Sequence, residues 1–512
     1  MAETPDVVET VKQGYAFEGP AIELGALLVD GTPKPEAAVR IPLSMVNRHG
    51  LVAGATGTGK TKTLQLMAEQ LSAAGVAVFA ADIKGDLSGV SQPGQSSDKL
   101  LDRTKTIGQE WTATGFPTEF YALGGQGTGI PVRATITSFG PVLLSKVLGL
   151  NDVQESSLGL IFHYADKQGL TLLDLKDLRA VITHLTSDEG KDDLKELGGL
   201  SAATAGVILR SLIGFADQGA EAFFGEPEFD TADLMQARDG KGVISLLELP
   251  NLQDRPALFS TFLMWLLADL FHDLPEVGDV DKPKLVFFFD EAHLLFADAS
   301  KAFLSSIAQT VRLIRSKGVG VFFVTQTPKD VPDDVLAQLG SRVQHQLRAH
   351  TPNDAKALKA TVSTFPTSTY DLAEVLTQLG IGEAIVTVMN EKGAPTPVAW
   401  TRLRAPQSLM APATAEQLTS AVQASQFNAK YSQVIDRESA YEKLAAAVQA
   451  GAAQAEAEKQ DEPAPEPKAQ RPQKHEKSVV EQVVGSSAFK QFARSAGREI
   501  VRGLFGAARR KR

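Results

Sequence analysis

The sequence contains no cysteine. Disulfides, thiolate metal sites and cysteine nucleophiles are therefore excluded, and the composition fits a reducing compartment. Long apolar runs are also missing. The longest, such as Leu285 to Phe289, fall far short of the ~20 residues that span a bilayer. The N-terminal stretch MAETPDVVETVKQGY is polar and acidic and lacks the apolar stretch of a signal peptide. The expectation is a soluble, cytoplasmic protein. Basic residues are in deficit: 51 Lys and Arg stand against 61 Asp and Glu, a formal net charge of −10. That argues against a uniformly basic coat for nucleic acid and leaves a local basic lining open. What is present is an ordinary globular balance over 512 residues, with 43% hydrophobic and 22% charged residues. It excludes a wholly disordered or collagen-like chain and supplies a sizeable core. The length predicts about three domains, or one large domain with appendages.

Residues 1–46 read as a small β-rich segment, with extended pieces at Ala21 to Val29 and Val39 to Pro42. From Leu51 a pattern of short apolar run, glycine-rich turn and amphipathic helix repeats. The predicted strands are Gly50–Gly54, Val76–Ile83, Gly242–Leu249, Lys284–Asp290, Val319–Thr325, Arg342–Arg348 and Ala384–Met389. Continuous rather than alternating apolar runs suit a parallel sheet covered on both faces. Helices are predicted over Thr61–Ala74, closed by Gly75, and over Pro256–Leu274, with proline in the first turn. Residues 47–86 and 241–406 thus form an α/β core. Residues 87–240 form a mostly helical insertion, too long for a loop, with possible strands at Thr118–Leu123 and Pro131–Ser138 and helical stretches at Pro141–Leu148 and Leu170–Leu185. Residues 407–450 read as a helical extension and 451–476 as a disordered linker rich in Ala, Glu, Lys and Pro. Residues 477–512 form a basic tail.

The segment Gly54-Ala55-Thr56-Gly57-Thr58-Gly59-Lys60-Thr61-Lys62 carries the pattern G-x-x-x-x-G-K-[ST] between an apolar strand and a helix. A loop that wraps a triphosphate must turn its backbone N–H groups inward, which excludes bulky side chains and fixed dihedrals. The helix adds the positive end of its dipole. Lys60 supplies a cation for the outer phosphates, and the Thr61 hydroxyl can ligate Mg²⁺.

Lys284 to Asp290 is an apolar strand ending in the adjacent carboxylates Asp290 and Glu291. At the C-terminal end of a parallel strand such a pair faces the ligand crevice. Asp290 is the candidate for holding Mg²⁺ through water and Glu291 the candidate general base; the competing reading is a carboxylate pair that caps the next helix. His293 packs locally or joins the chemistry. Gln326, after the strand Val319–Thr325, is the candidate sensor of the γ-phosphate, or else satisfies local backbone. Arg312 and Arg315 share one helix face, and Arg315 is the stronger candidate to reach a neighbouring subunit's nucleotide; a solvated face is the alternative. Arg342 and Arg348 are weaker candidates.

Together and in this order, the stretches Asn47 to Thr61, Asp82-Ile83-Lys84-Gly85-Asp86, Asp290-Glu291-Ala292-His293 and Arg315 to Gln326 resemble the HerA/FtsK superfamily of ring-forming P-loop ATPases, above all bacterial proteins with a HerA-like C-terminal domain. The resemblance covers about Arg48 to Arg404. It implies a RecA-like fold, a homohexameric ring, ATP hydrolysis at subunit interfaces, and threading of duplex DNA through the pore. It also places Arg315 at the position of the family's interface arginine. Two departures stand out. Thr327 occupies a position where an arginine often follows the glutamine in DNA-translocating relatives, and the N-terminal segment is short for the β-barrel domain of archaeal HerA proteins.

In the tail, Lys490, Arg494, Arg498 and Arg502 recur every four residues beside Phe489, Phe492, Ile500 and Leu504. This is the pattern of a basic amphipathic helix. It suits DNA phosphates, an anionic membrane surface, a partner groove or packing on its own protein. The sequence thus predicts a Mg²⁺-dependent ATPase motor acting on DNA. The alternatives are an ATP-driven switch or protein remodeller with no nucleic-acid track, and a nucleotide-binding scaffold that does not hydrolyse.

Overall fold

Fourteen strands alternate with helices in the computed structural model, which describes residues 6–190, 192–193, 199–249, 256–296 and 301–461. The strands are β1 (Ala21–Val29), β2 (Thr32–Pro42), β3 (Gly50–Ala53), β4 (Ala77–Asp82), β5 (Thr118–Leu123), β6 (Ile130–Val132), β7 (Ala237–Arg238), β8 (Lys241–Gly242), β9 (Ile244–Glu248), β10 (Leu285–Phe289), β11 (Val319–Thr325), β12 (Ser341–Gln344), β13 (Glu383–Thr387) and β14 (Ala399–Leu403). Twelve of them form one sheet in the order β2-β1-β14-β13-β12-β3-β11-β10-β4-β9-β5-β6; β7 and β8 form a small ribbon. From β12 to β6 every pairing is parallel, and from β12 to β2 every pairing is antiparallel. The parallel half therefore has one edge at which all its strands end.

The apolar runs explain why this half is sandwiched. Successive side chains of a strand point to opposite faces. In β10, Leu285, Phe287 and Phe289 enter one core with the helix Pro256–Asp273, while Val286 and Phe288 enter another with the helix Lys60–Ala73. All five are fully buried. Phe287 packs on Phe79 and Phe289 with ring centroids 5.2 and 5.6 Å away. A third, smaller core lies around Leu347, Leu376 and Ile385.

Several elements differ from the sequence expectation. The β-rich segment expected at residues 1–46 forms the hairpin β1–β2, and β1 also pairs with β14, so the hairpin extends the main sheet. A helix, Val7–Gly14, precedes it. The possible strand Pro131–Ser138 stops at Val132, because a helix begins at Ile136 with Thr135 as its cap. That helix runs to Val147 with a break at Gly140, ahead of Pro141. β12 ends at Gln344, short of Arg348. The segment 407–450 carries helices at Ala415–Ala424 and Gln426–Tyr431, and a third begins at Ala440. The compact unit ends at Val448. The third helix reaches Asp461, through residues whose composition reads as linker, because Ala, Glu, Gln and Lys are also strong helix formers. The rest of the linker and the basic tail lie outside the described residues. Among the described residues no helix is long and apolar enough to cross a membrane.

Candidate nucleotide site

The glycine-rich loop leaves β3 at the sheet edge where the parallel strands end. Its entry is fixed on both sides: Gly54 N–H donates to Thr325 O at the end of β11 (3.2 Å), and Ala55 N–H donates to Gln346 O after β12 (2.8 Å). Gly54 is demanded by close approach, since a Cβ there would stand 2.4 Å from that of His345. Gly59 caps the helix with φ 115°, a backbone state that disfavours any side chain. Lys60 opens the helix. Its ammonium is buried and donates to Gly54 O (2.7 Å) and Ala55 O (3.1 Å), and burial holds its pKa below the usual lysine value. Lys62 lies in the same turn and donates to Gln65 Oε1 (3.1 Å).

Strand β10 brings the acidic pair to the same edge. β10 and β3 are separated by β11 alone, about 10 Å at ordinary strand spacing. Asp290 is 2% exposed. Burial and the charge of Glu291 push its carboxyl up to about 7. Its Oδ1 accepts from Glu291 N–H (2.9 Å), while its Oδ2 is buried with no partner among the described residues. An unpaired, buried carboxylate oxygen at this edge is what a cation would satisfy. Among the described residues no cluster of three His, Asp or Glu could hold a metal alone. Mg²⁺ takes one or two protein ligands and completes its shell with phosphates and water, so the single unpaired oxygen of Asp290 fits it.

Glu291 adopts φ 47° and is 5% exposed. Burial would raise its pKa, but the ammonium of Lys84, which donates to Oε1, brings it below the usual glutamate value. His293 stands with Nδ1 3.3 Å from Glu291 Oε2, so it is part of this cluster rather than a remote packing residue. Gln326 is exposed at the exit of β11, beside the strand that carries the loop. Next to it, Thr325 Oγ1 and Thr327 Oγ1 both donate to Asp330.

Arg315 and Arg312 are exposed, and the structure does not bring them to this edge. Arg315 follows the helix Lys301–Ile314 and precedes β11. The seven residues of β11, about 20 Å, separate it from the exit of that strand. It therefore cannot serve the site of its own chain. Arg342 is used locally, donating to Thr364 O (3.0 Å). Arg348 reaches the loop, with Nη2 3.4 Å from Thr56 O.

Three further residues lie near the loop and the carboxylates; of these only Asp82 falls in a stretch that carries the family resemblance. His345, fully buried, has Nε2 2.9 Å from Thr63 Oγ1, tying the helix to the exit of β12. Asp82 ends β4 and accepts backbone N–H groups of Gly85, Asp86 and Leu87. Glu248 ends β9; burial, then Asp82 and Asp86, push it up to about 8. Asp82 belongs to the Asp82–Asp86 stretch noted in the sequence, whereas a polar residue closing an apolar strand is the signal that marks Glu248.

A profile described as "Helicase HerA-like C-terminal" matches residues 28–512. The chain belongs to this family. It is 22% identical over 375 residues to the DNA double-strand break repair helicase HerA of Sulfurisphaera tokodaii, covering 71% of this chain and 68% of that one. Its identity to the protein of the same name from Saccharolobus solfataricus is 22% over 386 residues, 74% and 68% of the two chains. Among solved structures, the bacterial conjugative coupling protein TrwB superposes with TM-score 0.50 at 16% identity, over 79% of this chain and 94% of that one. TrwB bound to a non-hydrolysable ATP analogue matches equally, at TM-score 0.50. The HerA-like chain thus has the RecA-like P-loop ATPase fold, with a mainly parallel sheet.

Proposed function

We propose that the protein is a Mg²⁺-dependent ATPase that assembles into a ring, most simply a hexamer, and couples hydrolysis to movement along DNA. One observation carries the reading: the loop before Lys60 and the carboxylates of Asp290 and Glu291 share one sheet edge, with Lys60 in the electrostatic field of both acids. The loop amides from Gly54 to Lys62 and the Lys60 ammonium bind the phosphates. Thr61 and Asp290 hold Mg²⁺, which when bound neutralises charge on the β- and γ-phosphates. Glu291 accepts the proton of the attacking water, and Gln326 orients that water or senses the γ-phosphate. Arg315, at the opposite edge, completes the site of an adjacent subunit, where a guanidinium stabilises developing charge.

The relatives named as DNA repair helicases support DNA as the track. A second reading, a switch or remodeller without nucleic acid, draws support from Thr327. Its hydroxyl caps the turn at Pro328–Asp330, so the position carries no charge toward a phosphate backbone. An ATPase assay with duplex DNA, single-stranded DNA and none, beside a mass measurement of the ATP-bound assembly, separates the two. The motor reading expects stimulation by DNA and a sixfold mass. Hydrolysis indifferent to DNA selects the switch.

A further inference from the structure

Lys84 lies two residues beyond the end of β4, and Glu291 lies two residues beyond the end of β10. The strands are parallel neighbours with Phe289 opposite Ala81, so the register delivers both side chains to one point of the edge. There Lys84 Nζ donates to Glu291 Oε1. The partners differ in freedom. The backbone around Glu291 is fixed: Ala292 N–H donates to Val324 O (2.9 Å), and Leu294 N–H donates to Glu291 O (2.9 Å). Its side chain is 7% exposed and that of Lys84 is 40% exposed. The ammonium rides on a four-carbon stem that swings with little resistance. Lys60 interacts electrostatically with Lys84, Asp290 and Glu291, so all four groups lie within one field. A triphosphate on the loop adds its outer phosphate to that field, and a multiply charged phosphate competes with a single carboxylate for the mobile cation.

Resting on the function above, we propose that Lys84 is a positioning residue that holds Glu291 and exchanges it for the outermost phosphate of a bound nucleoside triphosphate. The carboxylate is thereby freed for the attacking water only when that phosphate is present. His293 Nδ1 stands 3.3 Å from Glu291 Oε2, beside the carboxylate that Lys84 releases. A nucleoside diphosphate, lacking the outer phosphate, leaves the Lys84–Glu291 pair closed.

The test is a binding cycle on the full chain with Mg²⁺, titrating ADP and a non-hydrolysable ATP analogue into wild type, Lys84→Met, Glu291→Gln and the double variant. Lys84→Met is expected to bind ADP like wild type, which also reports an intact fold, and to lose about tenfold of its preference for the analogue. Glu291→Gln, which releases the ammonium, is expected to gain about tenfold for the analogue, and the gain should vanish in the double variant. Lys84→Arg should restore the preference. Strictly additive effects, or full preference in Lys84→Met, overturn the proposal. Hydrolysis by wild type that Glu291→Gln abolishes upholds the ATPase reading even if the cycle is additive. A wild type that neither binds nor hydrolyses ATP sinks both.

Discussion

At the residue scale the site is a balance of buried charges, and each has a measurable consequence. Lys60 is the cation nearest the loop carbonyls, so Lys60→Ala should weaken ATP binding by about 100-fold, read by nucleotide titration. Glu291→Gln keeps the shape and removes the base. Turnover should fall by about 10²- to 10⁴-fold while ATP remains bound, read by steady-state hydrolysis and by retained nucleotide. A third consequence concerns pH. His49 is buried, accepts a hydrogen bond from Val321 N–H at Nδ1 (3.0 Å), and burial lowers its pKa from 6.5 to about 4. The folded state therefore binds fewer protons than the unfolded chain between those values. Stability is full above pH 6.5 and falls as pH drops toward 4. Chemical denaturation at pH 7 and pH 5 should differ by about 2 kcal/mol from this group, and His49→Gln should remove that part. The motif residues of the site were readable because phosphate chemistry restricts their types. The position of His345 and the pairing of Lys84 with Glu291 were not, although Lys84 lies in a quoted stretch, since both depend on which strands lie side by side.

At the element scale, legibility followed burial. Val319–Thr325 and Thr118–Leu123 were read to the residue because each is a β-rich run bounded by turn residues. Ala399–Leu403 escaped because its alternating Ala-Trp-Thr-Arg-Leu is buried on one face only and carries an arginine. Arg342–Arg348 was overextended: past Gln344 the chain leaves the sheet so that Gln346 O can accept from the loop at Ala55. The packing of β10 gives a stability prediction. Phe287→Ala should cost about 3–5 kcal/mol in urea unfolding, whereas Val153→Ala, at a site 67% exposed, should cost under about 0.5 kcal/mol. The helix that ends before Arg315 gives another. Arg315→Ala should abolish hydrolysis and spare ATP binding. Mixed with Glu291→Gln subunits it should recover part of the activity, because each supplies what the other lacks. No recovery in demonstrably mixed rings would remove Arg315 from the shared site.

At the scale of the whole molecule, the parallel half of the sheet was foreseeable and its extension was not. Turn chemistry marks where a hairpin folds back, yet nothing in residues 21–42 announces that β1 pairs with a strand at residues 399–403. Central strand β3 shows the same long-range dependence. Gly50 lies opposite Phe322 on one side and Ser341 on the other, both encoded far downstream. During synthesis at about 5–20 residues per second, β3 emerges tens of seconds before either neighbour exists. The nascent chain must therefore carry an unpaired, fully apolar ribbon through most of translation, and its dependence on chaperones should be high.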